Sequence, residues 1–175
     1  MLVGREKEIK VLNDAFLDDD SHFIAVYGEK GLGKTSLIKE AYGDSIAFCH
    51  EGLSDGNKKE QLLAFTASLK NSGLEIDEKP KDWLDAFFYL RVLIKQSKEN
   101  RKIVFIDEIS LMDTKRKDIL MGLDSFWNGF AYLRKDVVLV VCSSDVSWME
   151  TNIIHNIGGL YGRVTERIHL EKIDV

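Results

Sequence analysis

Short apolar segments alternate with amphipathic segments along the whole chain. Five of the apolar segments are rich in Val, Ile, Leu and Phe and are short, so each of them predicts a buried β-strand. The predicted strands are residues 23–27, 46–49, 103–106, 137–142 and 167–170. The third and fourth are almost continuously apolar, which is typical of parallel strands that are covered on both faces.

The amphipathic segments have the spacing of helices. Residues 5–17, for example, place Ile9, Leu12 and Phe16 on one face. The helices are predicted over residues 5–17, 34–41, 58–70, 81–97, 117–133 and 148–157. Strands that alternate with helices predict an α/β fold, with a mostly parallel five-stranded sheet and helices on both faces. No linker interrupts the pattern, so we expect residues 1–175 to form a single domain.

Composition narrows the class of protein. The 175 residues are 45% hydrophobic and 30% charged, which is typical of a folded globular protein and not of a disordered one. The net charge of -5 disfavours a dedicated nucleic-acid-binding module. No apolar run approaches the roughly 20 residues of a membrane span, and no signal peptide is visible. We therefore expect a cytoplasmic protein without a membrane partner, with Cys49 and Cys142 as buried free thiols.

A glycine-rich segment follows the first predicted strand. Residues 28–35 read Gly-Glu-Lys-Gly-Leu-Gly-Lys-Thr, which fits the phosphate-binding loop pattern G-x-x-x-x-G-K-[ST] at every fixed position. In this pattern backbone N–H groups and a helix N-terminus surround phosphates, the lysine reaches the β- and γ-phosphates, and the hydroxyl binds Mg²⁺. The expected phosphate-binding residues are Gly28, Glu29, Lys30, Gly31, Leu32, Gly33, Lys34, Thr35 and Ser36. Thr35 is also an expected metal ligand.

Two carboxylates follow the third predicted strand. Asp107 and Glu108 come directly after residues 103–106, at the edge of a parallel sheet where ligands bind. Beside a phosphate loop, Asp107 is suited to hold Mg²⁺ and Glu108 to orient and polarise an attacking water. The alternative is an acidic helix start after a core strand. This arrangement resembles the branch of phosphate-loop proteins with an additional strand and a catalytic glutamate, whose strand order is 5-1-4-3-2 and which favours hydrolysis.

Several further motifs point to a known family. The chain opens with Gly4-Arg5-Glu6, the loop lysine continues as Lys-Thr-Ser-Leu-Ile, and residues 81–87 read Lys-Asp-Trp-Leu-Asp-Ala-Phe. Residues 126–129 read Phe-Trp-Asn-Gly, and residues 158–163 read Gly-Gly-Leu-Tyr-Gly-Arg. With these motifs the chain resembles the AAA-like ATPases of the STAND class, and more closely the archaeal and bacterial predicted-ATPase family of that class.

The resemblance implies roles for several more positions. Gly4 and Arg5, with Glu6, correspond to a segment beside the adenine; the alternative is an ordinary helix start. Ser143 or Ser144 occupies the sensor position that contacts the γ-phosphate or the water, and we assign Ser144; the alternative is a strand-end turn. Asp145 departs from the family pattern at this point. Arg163 is assigned to the γ-phosphate charge or to coupling with a neighbouring domain, the alternative being a surface arginine.

Three smaller features have structural and functional interpretations. Trp83, Phe87, Phe88 and Trp127 have helical spacing and are expected in the core, the alternative being a base-stacking surface. The basic run at residues 115–117 is interpreted as a solvated helix start, with a nucleic-acid contact as the alternative. His50 follows the second strand and is interpreted as a strand-end histidine with a satisfied side chain, the alternative being a phosphate contact.

The leading functional hypothesis is an ATP- and Mg²⁺-binding ATPase domain that hydrolyses ATP slowly and switches conformation with nucleotide state. The alternatives are a nucleotide-binding scaffold without catalysis and a DNA-associated ATPase related to origin-recognition proteins. No guanine-specific Asn-Lys-x-Asp pattern is visible, which favours ATP and ADP. The relatives implied by the resemblance continue into a helical lid and a winged-helix region. We therefore expect a truncated or reduced form, with an exposed lid-facing surface for other domains or proteins and nucleic-acid contacts only through the missing regions.

Overall fold

The computed structural model describes residues 4–114 and 118–173, in which strands and helices alternate. The strands are β1 (His22–Tyr27), β2 (Ile46–Glu51), β3 (Lys102–Asp107), β4 (Val137–Ser143) and β5 (Glu166–His169). The α-helices are α1 (Glu6–Leu17), α2 (Lys34–Tyr42), α3 (Lys58–Asn71), α4 (Trp83–Gln96), α5 (Asp118–Phe126), α6 (Tyr132–Arg134) and α7 (Val146–Met149). Residues 115–117, and with them the basic run and the predicted start of the fifth helix, lie outside the described residues, as does Val3.

The five strands form one parallel sheet in the order β2-β3-β4-β1-β5. This is the order 5-1-4-3-2, so the predicted α/β phosphate-loop fold and its strand order are confirmed. The strands are parallel and β4 lies between β1 and β3, so the carboxyl ends of these three strands lie side by side at one edge of the sheet. That edge is where a parallel α/β sheet binds its ligands.

Apolar side chains cover both faces of the sheet. On one face Leu12 of α1 and Leu37 of α2 pack against β1, β3 and β4, and on the other face Phe65, Trp83 and Phe126 pack from α3, α4 and α5. Burial of the strands on both sides explains why β3 and β4 have almost no polar side chains. Among the described helices none is long and apolar enough to cross a membrane.

The helix boundaries agree with the prediction to within about two residues at most ends, and the differences have local causes. Helix α3 begins with a capping box, in which the Asn57 side chain accepts from the Glu60 N–H and the Glu60 side chain accepts from the Asn57 N–H. Helix α4 begins at Trp83, because the Asp82 carboxylate accepts from the Asp85 N–H at 2.8 Å and fixes the helix start there. Pro80 therefore precedes the helix and is not in its first turn.

Two core predictions need correction. Trp83, Phe87 and Trp127 are buried as predicted, but Phe88 is 45% exposed and the Arg91 guanidinium lies 4.7 Å from its ring centre. One residue along a helix is a rotation of about 100°, which turns Phe88 away from the face that Phe87 buries. Cys142 is a buried free thiol as predicted, whereas Cys49 is free but exposed, because β2 is an edge strand of the sheet.

Candidate functional site

The glycine-rich segment connects the end of β1 to the start of α2. Gly33 has φ 87, the left-handed conformation that suits glycine, and the helix begins at the next residue. A Cβ at Gly28 would lie 2.4 Å from the carbonyl oxygen of Leu170, so no side chain fits where the loop passes the end of β5. The loop is therefore closely packed, and it brings the N-terminus of α2 to the ligand edge of the sheet.

The Lys34 side chain lies inside the curve of this loop. Its ammonium group donates to the carbonyl oxygens of Gly28 at 2.7 Å and Glu29 at 2.9 Å, and only 5% of the residue is exposed. A buried ammonium requires such partners, because its desolvation is otherwise unfavourable. Carbonyl oxygens satisfy its hydrogen bonds without neutralising its charge, so Lys34 places a positive charge where the loop can surround an anion.

Asp107 and Thr35 meet beside the loop. The Thr35 hydroxyl donates to Asp107 Oδ2 at 2.5 Å, and Asp107 is 5% exposed. Burial raises the pKa of Asp107, the negative charge of Glu108 raises it further, and the hydrogen bond from Thr35 and the charge of Lys34 act in the opposite direction. A hydroxyl and a carboxylate at hydrogen-bond distance are the oxygen ligands that Mg²⁺ uses together with substrate phosphates. These two residues therefore fit the metal, although the described residues contain no group of three His, Cys, Asp or Glu side chains suited to hold an ion.

Glu108 is held by the residue that follows β4. The Ser144 hydroxyl donates to Glu108 Oε1 at 2.8 Å, and the Ser144 N–H lies 3.4 Å from Oε2. The neighbouring Ser143 is fully buried and shares a hydrogen bond of 2.6 Å with the Ser110 hydroxyl. Ser144, and not Ser143, therefore faces Glu108.

The structure brings most of the predicted residues to one cavity of about 630 Å³ at the ligand edge of the sheet. This is the size of a typical small-ligand site. Nine predicted residues line it, namely Lys30, Gly31, Gly33, Lys34, Thr35, Ser36, Asp107, Glu108 and Ser144. Six lining residues were not predicted as site residues: Glu51, Gly52, Ser54, Ser110, Leu111 and Asp145.

The presence of Glu51 and Asp145 at the cavity is explained by the register of β2 and by the start of α7. Glu51 pairs in register with Asp107 at the end of β2, so strand adjacency was a signal that could have identified it. Asp145 has a structural role at the start of α7, where its carboxylate accepts from the Trp148 N–H at 3.0 Å.

One buried residue outside the prediction holds two walls of the cavity together. Gln61 of α3 is fully buried, and its side-chain amide exchanges hydrogen bonds with the N–H and C=O of Leu53 and donates to the C=O of Leu111 at 3.0 Å. The amide thereby links the segment after β2 to the turn after Glu108. No sequence motif marks this residue, because glutamine is also common on exposed helix faces.

The N-terminal residues lie behind the loop. Arg5 is 8% exposed, and its guanidinium donates to the carbonyl oxygens of Glu171 at 2.8 Å and Leu32 at 3.4 Å. Gly4 lies against the side chain of Ile173. Gly4, Arg5 and Leu32 do not line the described cavity. Gly28 and Glu29 are not among its lining residues either, but their carbonyl groups hold the Lys34 side chain that lines it.

Arg163 lies near the amino-terminal ends of the strands, opposite the edge where the phosphate loop lies. Thr165, two residues further on, donates its N–H to the carbonyl of Phe23 at the start of β1, whereas the phosphate loop follows the end of β1. Arg163 is exposed and is not part of the cavity. The structure therefore separates Arg163 from the phosphate loop of its own chain, and a contact with a γ-phosphate bound there is not supported.

Two of the motifs that carry the family resemblance contact each other. The Asn128 side chain donates to Asp124 at 2.7 Å and to the carbonyl of Gly159 at 2.8 Å, which joins the Phe-Trp-Asn-Gly segment to the Gly-Gly-Leu-Tyr-Gly-Arg segment. Residues Trp127–Ala131 form a π-helical turn at this point. His50 does not line the cavity, and its Nδ1 lies 2.7 Å from the Ser68 hydroxyl while its ring packs against Phe65. Its buried Nε2 has no hydrogen-bond partner among the described residues, so the prediction of a satisfied side chain is only half correct.

Comparisons with solved structures agree with this fold. The Walker-type ATPase paby2304 of Pyrococcus abyssi matches 99% of this chain with a TM-score of 0.67 and 16% identity, over 55% of its own length. The Aeropyrum pernix ORC1 protein, solved in complex with DNA, matches 99% of the chain with a TM-score of 0.65 and 14% identity, over 47% of its length. The Aeropyrum pernix ORC2 protein, solved in ADPNP–ADP complexes, matches 97% with a TM-score of 0.58 and 18% identity, over 48% of its length.

Sequence comparison gives the family. The uncharacterised protein MJECL04 of Methanocaldococcus jannaschii is 24% identical over 166 residues, which are 94% of this chain and 34% of that protein. The chain thus spans about a third of this relative and about half of the solved proteins it resembles. The profile of an ATPase domain family matches residues 2–175, nearly the whole chain. The chain belongs to this family of ATPase domains, which occur predominantly in Archaea.

Proposed function

We propose that this chain binds ATP together with Mg²⁺ in the cavity of about 630 Å³ and hydrolyses it slowly. The observation that carries the proposal is the convergence of three elements on one cavity. These are the phosphate loop with Lys34, the Thr35–Asp107 pair, and Glu108 held by Ser144. A phosphate-binding lysine, oxygen ligands for a metal and a water-orienting carboxylate are the parts that phosphoryl transfer to water requires.

In this proposal the loop binds the phosphates first. The N–H groups of residues 28–35 and the N-terminus of α2 would surround the β-phosphate, and the Lys34 ammonium would exchange the carbonyls of Gly28 and Glu29 for phosphate oxygens. Thr35 and Asp107 would hold Mg²⁺, which when bound supplies positive charge that offsets the charge on the phosphates. Gly4 and Arg5 would contribute to the base site from behind the loop.

Glu108 would then orient the nucleophile. A water beside its carboxylate attacks the γ-phosphorus, the bond from phosphorus to the β–γ bridging oxygen breaks, and ADP and phosphate are the products. The proton of the water passes to the Glu108 carboxylate or to an oxygen of the γ-phosphate. Ser144 would report whether the γ-phosphate is present, since its hydroxyl binds the same carboxylate that must face the water.

The finer assignments are proposals that rest on the resemblance. We propose that the domain is AAA-like and of the STAND class, that it acts as a nucleotide-driven switch in the cytoplasm, and that it transmits its state to other domains or proteins. For Arg163 the exposed position outside the cavity favours contact with a neighbouring domain. The DNA-bound state of the ORC1 neighbour is a property of that protein, and any nucleic-acid contact of this protein is proposed to lie in regions beyond this domain.

Two substitutions test the proposal. We expect Lys34→Ala to abolish ADP and ATP binding in calorimetry, because the loop then lacks its buried positive charge. We expect Glu108→Gln to retain ATP binding but lose turnover, because the amide cannot accept the water proton. Lys98→Ala removes an exposed lysine away from the cavity and is the matched control.

The same measurements can contradict the proposal. ATP turnover that survives in Glu108→Gln would sink the assignment of the water-orienting residue. Tighter binding of GDP than of ADP by the wild-type chain would contradict the adenine preference. Tight ADP binding with no multiple turnover under any condition would instead support a scaffold without catalysis.

A further inference from the structure

A second cavity lies beside α3. It has a volume of about 480 Å³ and is formed by the first two turns of α3 and the segment that precedes α4. None of its lining residues belongs to the nucleotide cavity. We call it the α3 groove, and its lining residues are Lys58, Lys59, Leu62, Leu63, Thr66, Lys79, Pro80 and Lys81.

The rim of the α3 groove is positively charged. Its described lining residues include four lysines and no carboxylate, although the chain as a whole has a net charge of -5. Lys58 is neutralised by Asp118 at 2.6 Å. Lys59, Lys79 and Lys81 are exposed, and within residues 4–114 and 118–173 none of their ammonium groups has a carboxylate within 4.0 Å. Three lysines around one concave surface therefore favour an occupant with negative charge.

The floor of the groove is aliphatic. Leu62 and Pro80 are buried at its base, and Leu63 is 56% exposed beside them. The hydroxyl of Thr66 donates to the Leu62 carbonyl at 2.7 Å, so it is already satisfied inside the helix. No aromatic side chain lines the groove, and nucleobases are bound largely by stacking on aromatic rings. The floor thus fits an aliphatic side chain better than a base.

The groove is also held in shape before any partner binds. The capping box of Asn57 and Glu60 fixes the start of α3, and the Lys58–Asp118 pair ties that start to α5. On the opposite wall the Tyr89 hydroxyl donates to the Glu78 carbonyl at 2.7 Å, and Pro80 restricts the backbone. A preformed groove loses less conformational entropy on binding than a flexible one.

We propose that the α3 groove binds an acidic peptide segment of a partner protein, with an aliphatic side chain of that segment on Leu62, Leu63 and Pro80. The carboxylates of the segment would pair with Lys59, Lys79 and Lys81 along the rim. Main-chain groups of the segment would remain solvated, so the affinity would come from these charges and from the buried side chain. This interaction is separate from nucleotide binding and does not depend on it.

The test uses a fluorescein-labelled peptide of alternating glutamate and leucine, and its fluorescence anisotropy with the whole chain. We expect saturable binding that weakens as salt increases. We expect the double variant Lys59→Glu/Lys81→Glu to weaken the affinity at least about tenfold, since each charge pair becomes a repulsion. Leu63→Ser should weaken binding with the charges unchanged. Lys98→Glu reverses an exposed lysine outside the groove and should leave the affinity within about twofold.

Nucleotide binding and the melting temperature of each variant report folding independently. A loss of binding free energy in Lys98→Glu that is half of the loss in the double variant would overturn the proposal, because one reversal changes the net charge half as much as two and binding would then follow net charge alone. A peptide with serine in place of leucine that binds equally well would overturn the role of the floor. Tighter binding of a labelled single-stranded oligonucleotide through the same lysines would replace the peptide by nucleic acid. If the chain self-associates and the double variant abolishes this association, the occupant of the α3 groove would be a second copy of the chain and not an acidic peptide.

Discussion

The hydroxyl of Ser144 donates to Glu108 Oε1 at 2.8 Å, so the end of β4 fixes the carboxylate that follows β3. The two residues are 36 positions apart in sequence and meet because β3 and β4 are neighbours in the sheet. The Ser144 N–H also lies 3.4 Å from Oε2, so both oxygens of the carboxylate have a defined direction. The contact thus makes the orientation of Glu108 depend on the end of β4.

Ser144→Ala tests this dependence. We expect ATP turnover to fall about tenfold, because Glu108 loses a positioned hydrogen bond, while the nucleotide affinity changes little. Ser144→Thr keeps a hydroxyl and should restore part of the turnover. Ser147→Ala, at an exposed serine of α7, is the control. A loss of affinity with unchanged turnover would show that Ser144 acts on substrate binding instead.

Asp107→Asn tests the metal ligands. We expect the Mg²⁺ concentration required for half-maximal turnover to rise about tenfold or more, because a neutral amide is a weaker ligand than a carboxylate. Metal-free ADP binding should be nearly unchanged, since Lys34 and the loop remain. Phosphate release at a series of Mg²⁺ concentrations measures the first quantity, and titration calorimetry without Mg²⁺ measures the second. An unchanged Mg²⁺ dependence would exclude Asp107 as a ligand.

The raised pKa of Asp107 adds a pH dependence to the same measurement. A proton and a metal ion compete for the carboxylate, and burial makes the proton bind more readily than to an ordinary aspartate. The Mg²⁺ requirement of the wild-type chain should therefore increase as the pH falls towards the raised pKa. In Asp107→Asn this increase should be smaller, because residue 107 no longer titrates.

We expect the buried His50 to make the free energy of unfolding sensitive to acid. It is 3% exposed, and desolvation lowers its pKa from 6.5 to about 4. Between these values the unfolded chain binds a proton that the folded chain does not, so the free energy of unfolding decreases as the pH falls. The decrease from this residue is about 2 kcal/mol between pH 6.5 and pH 5.

Denaturant unfolding at a series of pH values measures this effect. His50→Gln can keep the hydrogen bond to Ser68 but cannot be protonated, so its stability should decrease less over the same range. His155→Gln, at an exposed histidine, should keep the wild-type dependence. Parallel curves for wild type and His50→Gln would show that His50 does not titrate in this range.

Arg5→Met distinguishes a role of Arg5 in holding the phosphate loop from a direct contact of Arg5 with the adenine base. Its guanidinium donates to the carbonyls of Glu171 and Leu32, so its loss should lower the free energy of unfolding by about 2 kcal/mol. If Arg5 acts by holding the loop, ADP affinity should change by a small factor compared with Lys34→Ala. An unchanged stability with a large loss of ADP affinity would favour direct contact with the base.

The sequence predicted the parts of the molecule that depend on local patterns. The strands follow from runs of apolar residues, the loop from fixed glycine and lysine spacing, and Asp107 with Glu108 from their place after a buried strand. The strand order was implied by the resemblance to the branch of phosphate-loop proteins with a glutamate at this position, and the sheet confirms it.

The remaining features depend on register and on contacts between distant segments. Ser143 and Ser144 are adjacent, and only the register of β4 decides that Ser144 reaches Glu108. Arg163 precedes β5, and in a parallel sheet the start of one strand is far from the end of its neighbour. Gln61 acts through backbone groups of Leu53 and Leu111, which no side-chain pattern encodes.

The backbone of Glu108 has φ 49 and ψ 47, a left-handed conformation that costs a residue with a side chain about 1 kcal/mol. Glycine adopts this conformation without the cost, so Glu108→Gly should be more stable than Glu108→Ala, which loses the same Ser144 hydrogen bond but keeps the strained backbone. The carboxylate that we propose to orient the water thus stands at a position whose backbone conformation favours glycine. Under the proposed function, this residue combines local backbone strain with a role in catalysis, which is a trade-off between stability and activity at a single position.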